Sequence, residues 1–279
     1  MATIFNESSI TGEACGVSAT RQRLLTGGRV PGTGILLDRY GLAAGGTTGL
    51  TVPATSVAWL QGLEGEARIA HDDKSEPLTD AHIAFLPPGF SGTLTSDGGA
   101  SILYGEIPDA GRLDPAFATS PPPLRLTDWT REPVLDSEHD ARKRIYLVTP
   151  KLFATKAVKG EMIIYPPGTA AANHHHEGAE HFMYVLRGRG TVYANEKPFP
   201  ITKGDVIYYP DRERHYLEAA KDDELVFAEF FAPAEFKTVW VNANVVCAWQ
   251  PTGHDIRGRS PAREIKGHSS AEFLSPQDV

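Results

Sequence analysis

Short apolar runs bounded by glycine, proline and polar residues recur along this chain of 279 residues. Typical runs are "HIAFLPPG" from His82, "GEMIIYPPG" from Gly160, "GDVIYYP" from Gly204 and "ELVFAEFF" from Glu224. Valine, isoleucine, tyrosine and phenylalanine dominate these runs, and such residues favour strands. No long segment has the 3.6-residue periodicity of an amphipathic helix. The pattern predicts an all-β protein built as an antiparallel sandwich or barrel.

The strand pattern occurs twice along the chain. "VAWLQGLEGEARI" in the first half parallels "FMYVLRGRGTVY" in the second, and "IAFLPPG" parallels "VIYYPDR". Gly62 and Gly188 are 126 residues apart, and Pro87 and Pro210 are 123 apart. Two nearly equal offsets indicate a duplicated domain. We therefore expect an N-terminal barrel with its linker over residues 1–135, a C-terminal barrel over 136–246 and a polar tail without strands over 247–279.

Composition narrows the classes of partner and compartment. A formal net charge of −8 argues against nucleic acid, and the most basic run, "ARKRIYL" from Ala141, is too short to be more than a solvated strand edge. Two cysteines without a CxxC motif favour a reducing compartment. No apolar run approaches membrane-spanning length, and the start of the chain lacks a secretion signal. We expect a soluble cytoplasmic protein with no nucleic-acid or membrane partner.

Histidines form the strongest chemical signal, because five of the ten lie between His174 and His215. His174 and His176 are two residues apart on an extended segment, so their side chains point to the same face of a sheet. His215 comes from a separate strand and can approach them. Imidazole is the commonest protein ligand of late first-row metals. The cluster therefore predicts a metal site.

The segment from Gly168 to Gly188 resembles the first motif of the cupin superfamily. That motif consists of glycine, five residues, His-x-His, three or four residues, glutamate, six residues and a final glycine. Gly168, His174, His176 and Gly188 match it. The resemblance implies that the histidine pair belongs to the metal site of a cupin barrel.

The segment "GDVIYYPDRERHYLEA" resembles the second cupin motif. Gly204, Pro210 and His215 match that motif, whereas Arg212 and Ala219 stand where it has glycine and asparagine. Together with the duplication, the resemblance implies two cupin barrels in tandem, each a double-stranded β-helix or jelly roll. Such a protein is a bicupin.

The glutamate position of the first motif is open to two interpretations. With three residues after the histidine pair it falls on Glu180, and with four it falls on His181. The count of six residues back from Gly188 selects His181, and a slip of one residue moves a side chain to the opposite face. We therefore predict an all-histidine site, with Glu180 as the alternative third ligand. The predicted metal ligands are His174, His176, His181 and His215.

The first half offers no histidine at the matching positions. Alignment on the repeated glycine places Thr55 opposite His181, and alignment on the repeated proline places Gly92 opposite His215. We expect the N-terminal barrel to be a metal-free copy, so the chemistry lies in the second barrel.

Four protein ligands leave two positions open on an octahedral metal, where a substrate can bind. Neutral ligands keep the metal's positive charge, so we expect a small-molecule substrate that is anionic or chelating. We predict one divalent transition metal per chain, with Fe(II) favoured and Mn, Ni or Zn as alternatives. Catalytic candidates near the metal are Glu180, Tyr184 and Arg212, and Arg187 and Tyr208 are further candidates.

Three functions fit these residues. The favoured one is an Fe(II) dioxygenase of an enolic, phenolic or diketone substrate. The second is a redox-neutral aminohydrolase, isomerase, lyase or decarboxylase that uses Mn, Zn or Ni, since "EHFMYVLRGRGTVYAN" is similar to the metal-site strand of ureidoglycine aminohydrolases. The third is a non-enzymatic cupin that binds a small molecule. Exposed barrel edges further favour a homodimer.

Overall fold

A computed structural model of the chain describes residues 1–245 and 247–269. Antiparallel strands make up nearly all of its regular structure, as the strand pattern predicted. One α-helix occurs among the described residues, α1 (Pro150–Phe153), and 3₁₀ turns lie at Glu7–Ser9, Ala110–Arg112 and Trp129–Arg131. The strands are β1 (Thr3–Asn6), β2 (Glu13–Leu25), β3 (Leu36–Thr51), β4 (Val57–His71), β5 (Lys74–Thr79), β6 (His82–Leu86), β7 (Ser91–Ser96), β8 (Ala100–Ile107), β9 (Arg125–Asp128), β10 (Leu135–Ser137), β11 (Lys143–Val148), β12 (Lys159–Tyr165), β13 (His174–Glu177), β14 (Glu180–Ala194), β15 (Lys197–Thr202), β16 (Asp205–Tyr209), β17 (His215–Ala219), β18 (Leu225–Ala232), β19 (Lys237–Trp240), β20 (Ala248–Pro251) and β21 (His268–Ser269).

The N-terminal barrel is one of two compact units and comprises Glu7–Trp129 and Phe153–Ala157. Its eight-stranded sheet runs in the order β2-β3-β7-β4-β6-β9, with β5 beside β4 and β8 hydrogen-bonded to both β3 and β4. Alternate residues of these strands point inward and fill the interior, since successive side chains of a strand face opposite sides. The core includes Tyr40, Leu60 and Ile102, each at most 4% exposed.

The C-terminal barrel comprises Met1–Asn6, Thr130–Leu152 and the described residues from Val158 onward. Its 13-stranded sheet is organised around β14. The first half of β14 pairs with β16 and β18, and its second half pairs with β15 and β17. One long strand therefore passes through both faces of the barrel, and its inward side chains, Met183, Val185 and Val192, lie in the core.

Both ends of the chain add strands to the C-terminal barrel. β1 pairs with β16, so Met1–Asn6 lies with the second barrel and not with the first. The expected tail without strands differs from the structure, because β20 pairs with β10 and β21 pairs with β20. The physical reason is apolar burial: Trp249 and Ile265 are 1% and 6% exposed and pack with Tyr146. Within residues 1–245 and 247–269, no helix is long and apolar enough to cross a membrane.

Matching β-bulges fix the true register of the duplication. β4 and β14 each contain a bulge where they pair with β8 and β18, and each bulge is followed by a glycine of positive φ, Gly65 or Gly188. These glycines are 123 residues apart, the same offset as the repeated prolines. The sequence alignment had matched Gly188 with Gly62, which is three residues out of register. In the corrected register Ala58, a core residue, stands where the second barrel has His181.

Gly188 occupies a position that no other residue fits, because a Cβ there would lie 1.5 Å from the carbonyl oxygen of Glu224. Its φ is +79°, which costs residues with a side chain about 1–2 kcal/mol. We expect Gly188→Ala to lower the free energy of unfolding by more than about 2 kcal/mol in urea denaturation. Gly253→Ala is the matched control, since Gly253 has a φ of +78° and no atom within 4 Å of the added Cβ. Equal losses in the two variants would contradict the steric account.

Candidate metal centre

Three strands of the C-terminal barrel bring four buried histidines together. His174 and His176 lie on β13, His181 lies on β14 and His215 begins β17, where it pairs with His174. The ring centroids of His174 and His215 are 4.5 Å apart, and His181 lies 4.9 Å from both His176 and His215. The candidate ligand atoms of His174, His176 and His215 all lie within 4.8 Å of one another. The rings of the four predicted ligands therefore lie together, and the ligand atoms of three of them, His174, His176 and His215, are mutually close.

Hydrogen bonds orient three of the four rings. Nδ1 of His174 and Nδ1 of His215 each donate to the backbone carbonyl two residues earlier, at 2.8 and 2.9 Å. Nδ1 of His176 lies 3.2 Å from the hydroxyl of Thr238. A ring held at Nδ1 presents the lone pair of Nε2, which is the usual arrangement around a metal. Nε2 of His215 is buried and has no hydrogen-bond partner within the described residues.

His181 is held by stacking and not by hydrogen bonds. Its ring lies between Tyr209 and Phe231, with centroid distances of 4.8 and 4.7 Å and interplanar angles of 23° and 18°. Both ring nitrogens are buried without a hydrogen-bond partner in the part of the chain that is described. Unsatisfied buried polar atoms are costly, and coordination of a metal would satisfy one nitrogen here. The donor set fits a divalent transition ion.

The four histidines are electrostatically suited to binding a cation. Burial lowers the pKa of every one of them, and neighbouring imidazoles lower the pKa of His174, His176 and His181 further. Burial brings the pKa of His215 to about 4. All four rings are therefore neutral near pH 7, which is the form that ligates a metal.

The structure places Glu180 on the opposite face of β14 from His181. Its Oε2 accepts a hydrogen bond of 2.6 Å from the hydroxyl of Tyr208, which lies on the neighbouring strand β16. Tyr184 has the same parity as Glu180 along β14, so it also points away from the histidines. Arg212 is in an exposed turn with a left-handed φ of +66°. The sequence placed these residues near the metal, but strand alternation and turn geometry direct them elsewhere.

A cavity of about 60 Å³ adjoins His174 and His176. Six aromatic side chains line it, and so do charged side chains on strands β11, β12 and β18 and directly before β11. The sequence had interpreted "ARKRIYL" as a solvated strand edge, which is wrong because Arg142 and Arg144 are buried side chains of this wall. The available signal was a run of charged residues directly before the apolar segment "IYLV" of β11. The charged lining residues are Arg142, Arg144, Lys159, Glu161 and Glu229.

Glu161 is the centre of the ionic contacts in the cavity wall. Nη2 of Arg144 lies 3.0 Å from its Oε1, and Nζ of Lys159 lies 2.9 Å from its Oε2. Burial by itself would raise the pKa of Glu161, but the two cations outweigh burial and bring that pKa to about 2. Arg142 has its own carboxylate partner, Asp140, at 2.7 Å.

Glu229 differs from these carboxylates because burial, and then the neighbouring Glu161, raise its pKa well above the ordinary value. Burial lowers the pKa of Lys159, and the neighbouring carboxylate of Glu161 opposes that effect. With Lys159 protonated, three cations face two ionised carboxylates, those of Asp140 and Glu161. The wall of the cavity carries an excess positive charge, which favours an anionic occupant.

Substitution of Thr238 tests what orients His176, because Thr238 lies directly opposite His176 where β13 pairs with β19. We expect Thr238→Val, which keeps the shape and removes the hydroxyl, to weaken metal binding by about 10–100-fold. Thr238→Ser keeps the hydroxyl and should bind metal as the wild type does. Titration with Mn(II) followed by electron paramagnetic resonance measures both variants. Equal affinity in Thr238→Val and the wild type would show that this contact does not position the ligand.

Comparisons with known proteins agree with this architecture. A model of the cupin domain matches residues 161–231, which contain all four histidines. Oxalate decarboxylase OxdC of Bacillus subtilis is 28% identical over 105 residues, which are 36% of this chain and 27% of that protein. Oxalate decarboxylase of Arthroderma benhamiae is 32% identical over 94 residues, which are 31% of this chain and 22% of that protein. The chain thus spans about a quarter of the length of both relatives.

Solved structures extend the likeness to both barrels. A structure of Bacillus subtilis oxalate decarboxylase from work on its Mn(II) centres superimposes with a TM-score of 0.67. The match covers 86% of this chain and 79% of that chain, at 17% sequence identity. Residues 161–231 of the second unit match the cupin domain, and the chain as a whole has the bicupin fold.

Proposed function

We propose that the C-terminal barrel holds one divalent transition metal, with Mn(II) favoured, and decarboxylates a small carboxylic acid without net oxidation. The observation that carries this proposal is the neutral histidine cluster beside a small cavity lined by cationic side chains. The similarity to two proteins named oxalate decarboxylase supports it. The solved structure with Mn(II) centres supports the choice of metal.

His174, His176 and His215 would hold the metal through Nε2, and His181 would be the fourth ligand. A bound divalent ion acts as a Lewis acid, which polarises a carboxylate oxygen and stabilises negative charge that develops during the reaction. The protein keeps the four imidazoles neutral and fixes three of them by hydrogen bonds before any ligand arrives. This preorganisation reduces the cost of assembling the site.

The wall of the cavity would bind and orient the acid. Arg142, Arg144 and Lys159 supply a positive field, and the indole N–H of Trp240 lines the cavity without a hydrogen-bond partner among the described residues. That N–H is available to donate to a substrate oxygen. The volume of about 60 Å³ restricts the substrate to a few heavy atoms. Aromatic side chains around the cavity exclude bulk water, so the electrostatic contacts within it are strong.

The sequence favoured an Fe(II) dioxygenase over a redox-neutral enzyme. The sequence relatives and solved structures favour the redox-neutral enzyme instead. Both curated relatives are named decarboxylases, and decarboxylation belongs to the redox-neutral hypothesis. Iron and the similarity to ureidoglycine aminohydrolases gain no support. The homodimer stays a prediction, because a single chain is described.

A panel of small carboxylic acids tests the proposed function. The chain is loaded with Mn(II) and supplied separately with oxalate, malonate, small 2-oxo acids and a bulky aromatic acid. We expect saturable release of CO₂ from an acid of a few heavy atoms and none from the aromatic acid. The metal-free chain should be inactive. Absence of CO₂ release from every acid at full Mn(II) occupancy would overturn the proposal.

A further inference from the structure

Each barrel contains an ion pair at the equivalent position. A comparison of the two barrels therefore separates residues that serve the fold from residues specific to the half with the histidines. Arg21 matches Arg144 and Asp38 matches Glu161, with the same offset of 123 residues as the bulge glycines. Both pairs form: Arg21 contacts Asp38, and Arg144 contacts Glu161. Because the N-terminal barrel lacks the four histidines, an ion pair present in both halves serves the fold and is not specific to the metal site.

The two barrels differ at the residue that lies directly opposite Asp38 or Glu161 on the neighbouring strand. Glu161 is paired directly with Glu229 across β12 and β18, whereas Asp38 is paired with Tyr104 across β3 and β8. The N-terminal barrel also buries a second carboxyl group, that of Glu106, but this residue is paired with Leu36 across β3 and β8 and accepts a hydrogen bond of 2.6 Å from Tyr104. A carboxyl group directly opposite the shared acid is therefore confined to the half that has the histidines.

The ammonium group of Lys159 also occurs only in the C-terminal barrel, because Leu36 stands at the equivalent position of the N-terminal barrel. Lys159 lies 2.9 Å from Glu161 and is nearly inaccessible to solvent. Two features thus distinguish the metal-binding half from its copy: a carboxyl group directly opposite the shared acid, and an ammonium group beside that acid. Both groups line the cavity beside His174 and His176.

Geometry requires that the carboxyl pair shares one proton. Directly opposed residues of antiparallel strands have Cβ atoms about 4.5–5.5 Å apart, and like charges at that distance repel. Glu161 and Glu229 are 1% and 6% exposed, so water does not screen them. Arg144 and Lys159 both contact Glu161 and hold the negative charge there. The proton therefore resides on Glu229, which is hydrogen-bonded to Glu161.

We propose that Glu229 is the acid that delivers a proton to the carbon from which CO₂ departs, a role that rests on the proposed decarboxylation. The bond between the carboxyl carbon and its neighbour breaks, CO₂ leaves, and the electron pair stays on the neighbouring carbon. The O–H bond of Glu229 then breaks as the proton forms the new C–H bond. Water restores the proton to the resulting carboxylate, so the reaction consumes one proton and needs no oxidant.

Lys159 is a positioning residue in this scheme, because it acts through Glu161. Together with Arg144 it keeps the charge on Glu161, so that the transferable proton stays on the carboxyl group of Glu229. Tyr165 also lines the cavity, but burial raises the pKa of its hydroxyl to about 12 and makes it a weaker acid.

Infrared difference spectroscopy on the full-length chain tests where the proton resides without relying on activity. We expect the spectrum of the wild type minus that of Glu229→Gln, at neutral pH, to show the C=O band of a protonated carboxylic acid. The same difference should contain no carboxylate bands. Absence of the acid band from this difference, or carboxylate bands in its place, would overturn the assignment of the proton to Glu229.

Kinetics then test whether that proton is used. We expect Glu229→Gln to keep its Mn(II) content and KM while kcat falls by about 10²–10⁴-fold, and Glu229→Asp to recover part of the loss. Wild-type kcat in Glu229→Gln would overturn the catalytic role. If the wild type decarboxylates no acid, the proposed function fails and the catalytic role fails with it, whereas the infrared result still decides which carboxyl group holds the proton.

Discussion

His215→Ala should reduce bound Mn(II) from about one ion per chain to nearly none and lower turnover by about 10³-fold or more. The residue supplies an Nε2 that is buried and has no partner within residues 1–245 and 247–269, and its ring is fixed through Nδ1. Alanine removes a ligand without disturbing the strand that carries it. Elemental analysis and the rate of CO₂ release measure the two effects.

His175→Ala is the matched control for the loss of metal. His175 lies between two predicted ligands on β13, but its Nε2 lies 3.3 Å from Glu177 and its ring is not part of the cluster. We expect this variant to keep its metal and its rate. Loss of metal from His175→Ala to the same degree as from His215→Ala would mean that β13, and not the ligand atoms, determines binding.

The same measurement separates the two interpretations of the cupin glutamate position. His181→Ala should bind Mn(II) weakly, and Glu180→Ala should bind it as the wild type does, because Glu180 faces Tyr208 on the other side of β14. Full occupancy in His181→Ala together with loss in Glu180→Ala would restore the usual set of three histidines and one glutamate.

Glu161→Gln should lower the free energy of unfolding of the C-terminal barrel by about 3–5 kcal/mol. The substitution leaves Arg144 and Lys159 buried without their shared carboxylate. Asp136→Asn is the control: Asp136 also forms an ion pair, with Lys143 at 2.7 Å, but both side chains are about half exposed. Such a pair contributes about 0–1 kcal/mol. Denaturant unfolding that gives equal losses for the two variants would contradict the role of Glu161.

The effect of Glu161 on stability should depend on pH in a defined direction. Its pKa in the folded chain is lowered to about 2, below the value of about 4.3 for a free glutamate. The stabilisation is therefore fully present above pH 4.3 or so and is lost as the pH falls through the folded value. The difference between the wild type and Glu161→Gln should shrink over that window. A difference that grows on acidification would mean that Glu161 is protonated in the folded chain.

The fold and the histidines were predictable because their signals are local. Short β-branched and aromatic runs between turn residues define strands, and the separation of His174 and His176 by two residues places both on one face. The choice of His181 over Glu180 as a ligand rests on the same alternation, counted from Gly188, and stays a prediction. The duplication was visible as well, although the alignment of the sequence matched Gly188 with Gly62 and not with Gly65, three residues out of register.

The wall of the cavity was not predictable in the same way, because it depends on which strands become neighbours. Arg144, Glu161 and Glu229 come from β11, β12 and β18, and each alone resembles a charged residue on the solvent side of a strand. Strand pairing turns all three inward and lets them neutralise one another. The burial of Trp249 was not predictable for the same reason, since it depends on the pairing of β20 with β10.

Simultaneous measurement of oxygen uptake and CO₂ release by the Mn(II)-loaded chain tests the central claim most directly. The acid that releases CO₂ in the panel is supplied in a sealed cell with an oxygen electrode, and CO₂ is trapped and counted against acid consumed. The account predicts CO₂ release that matches acid consumption with no net oxygen uptake. Oxygen consumed in proportion to the acid would contradict it and return the second barrel to the dioxygenase hypothesis.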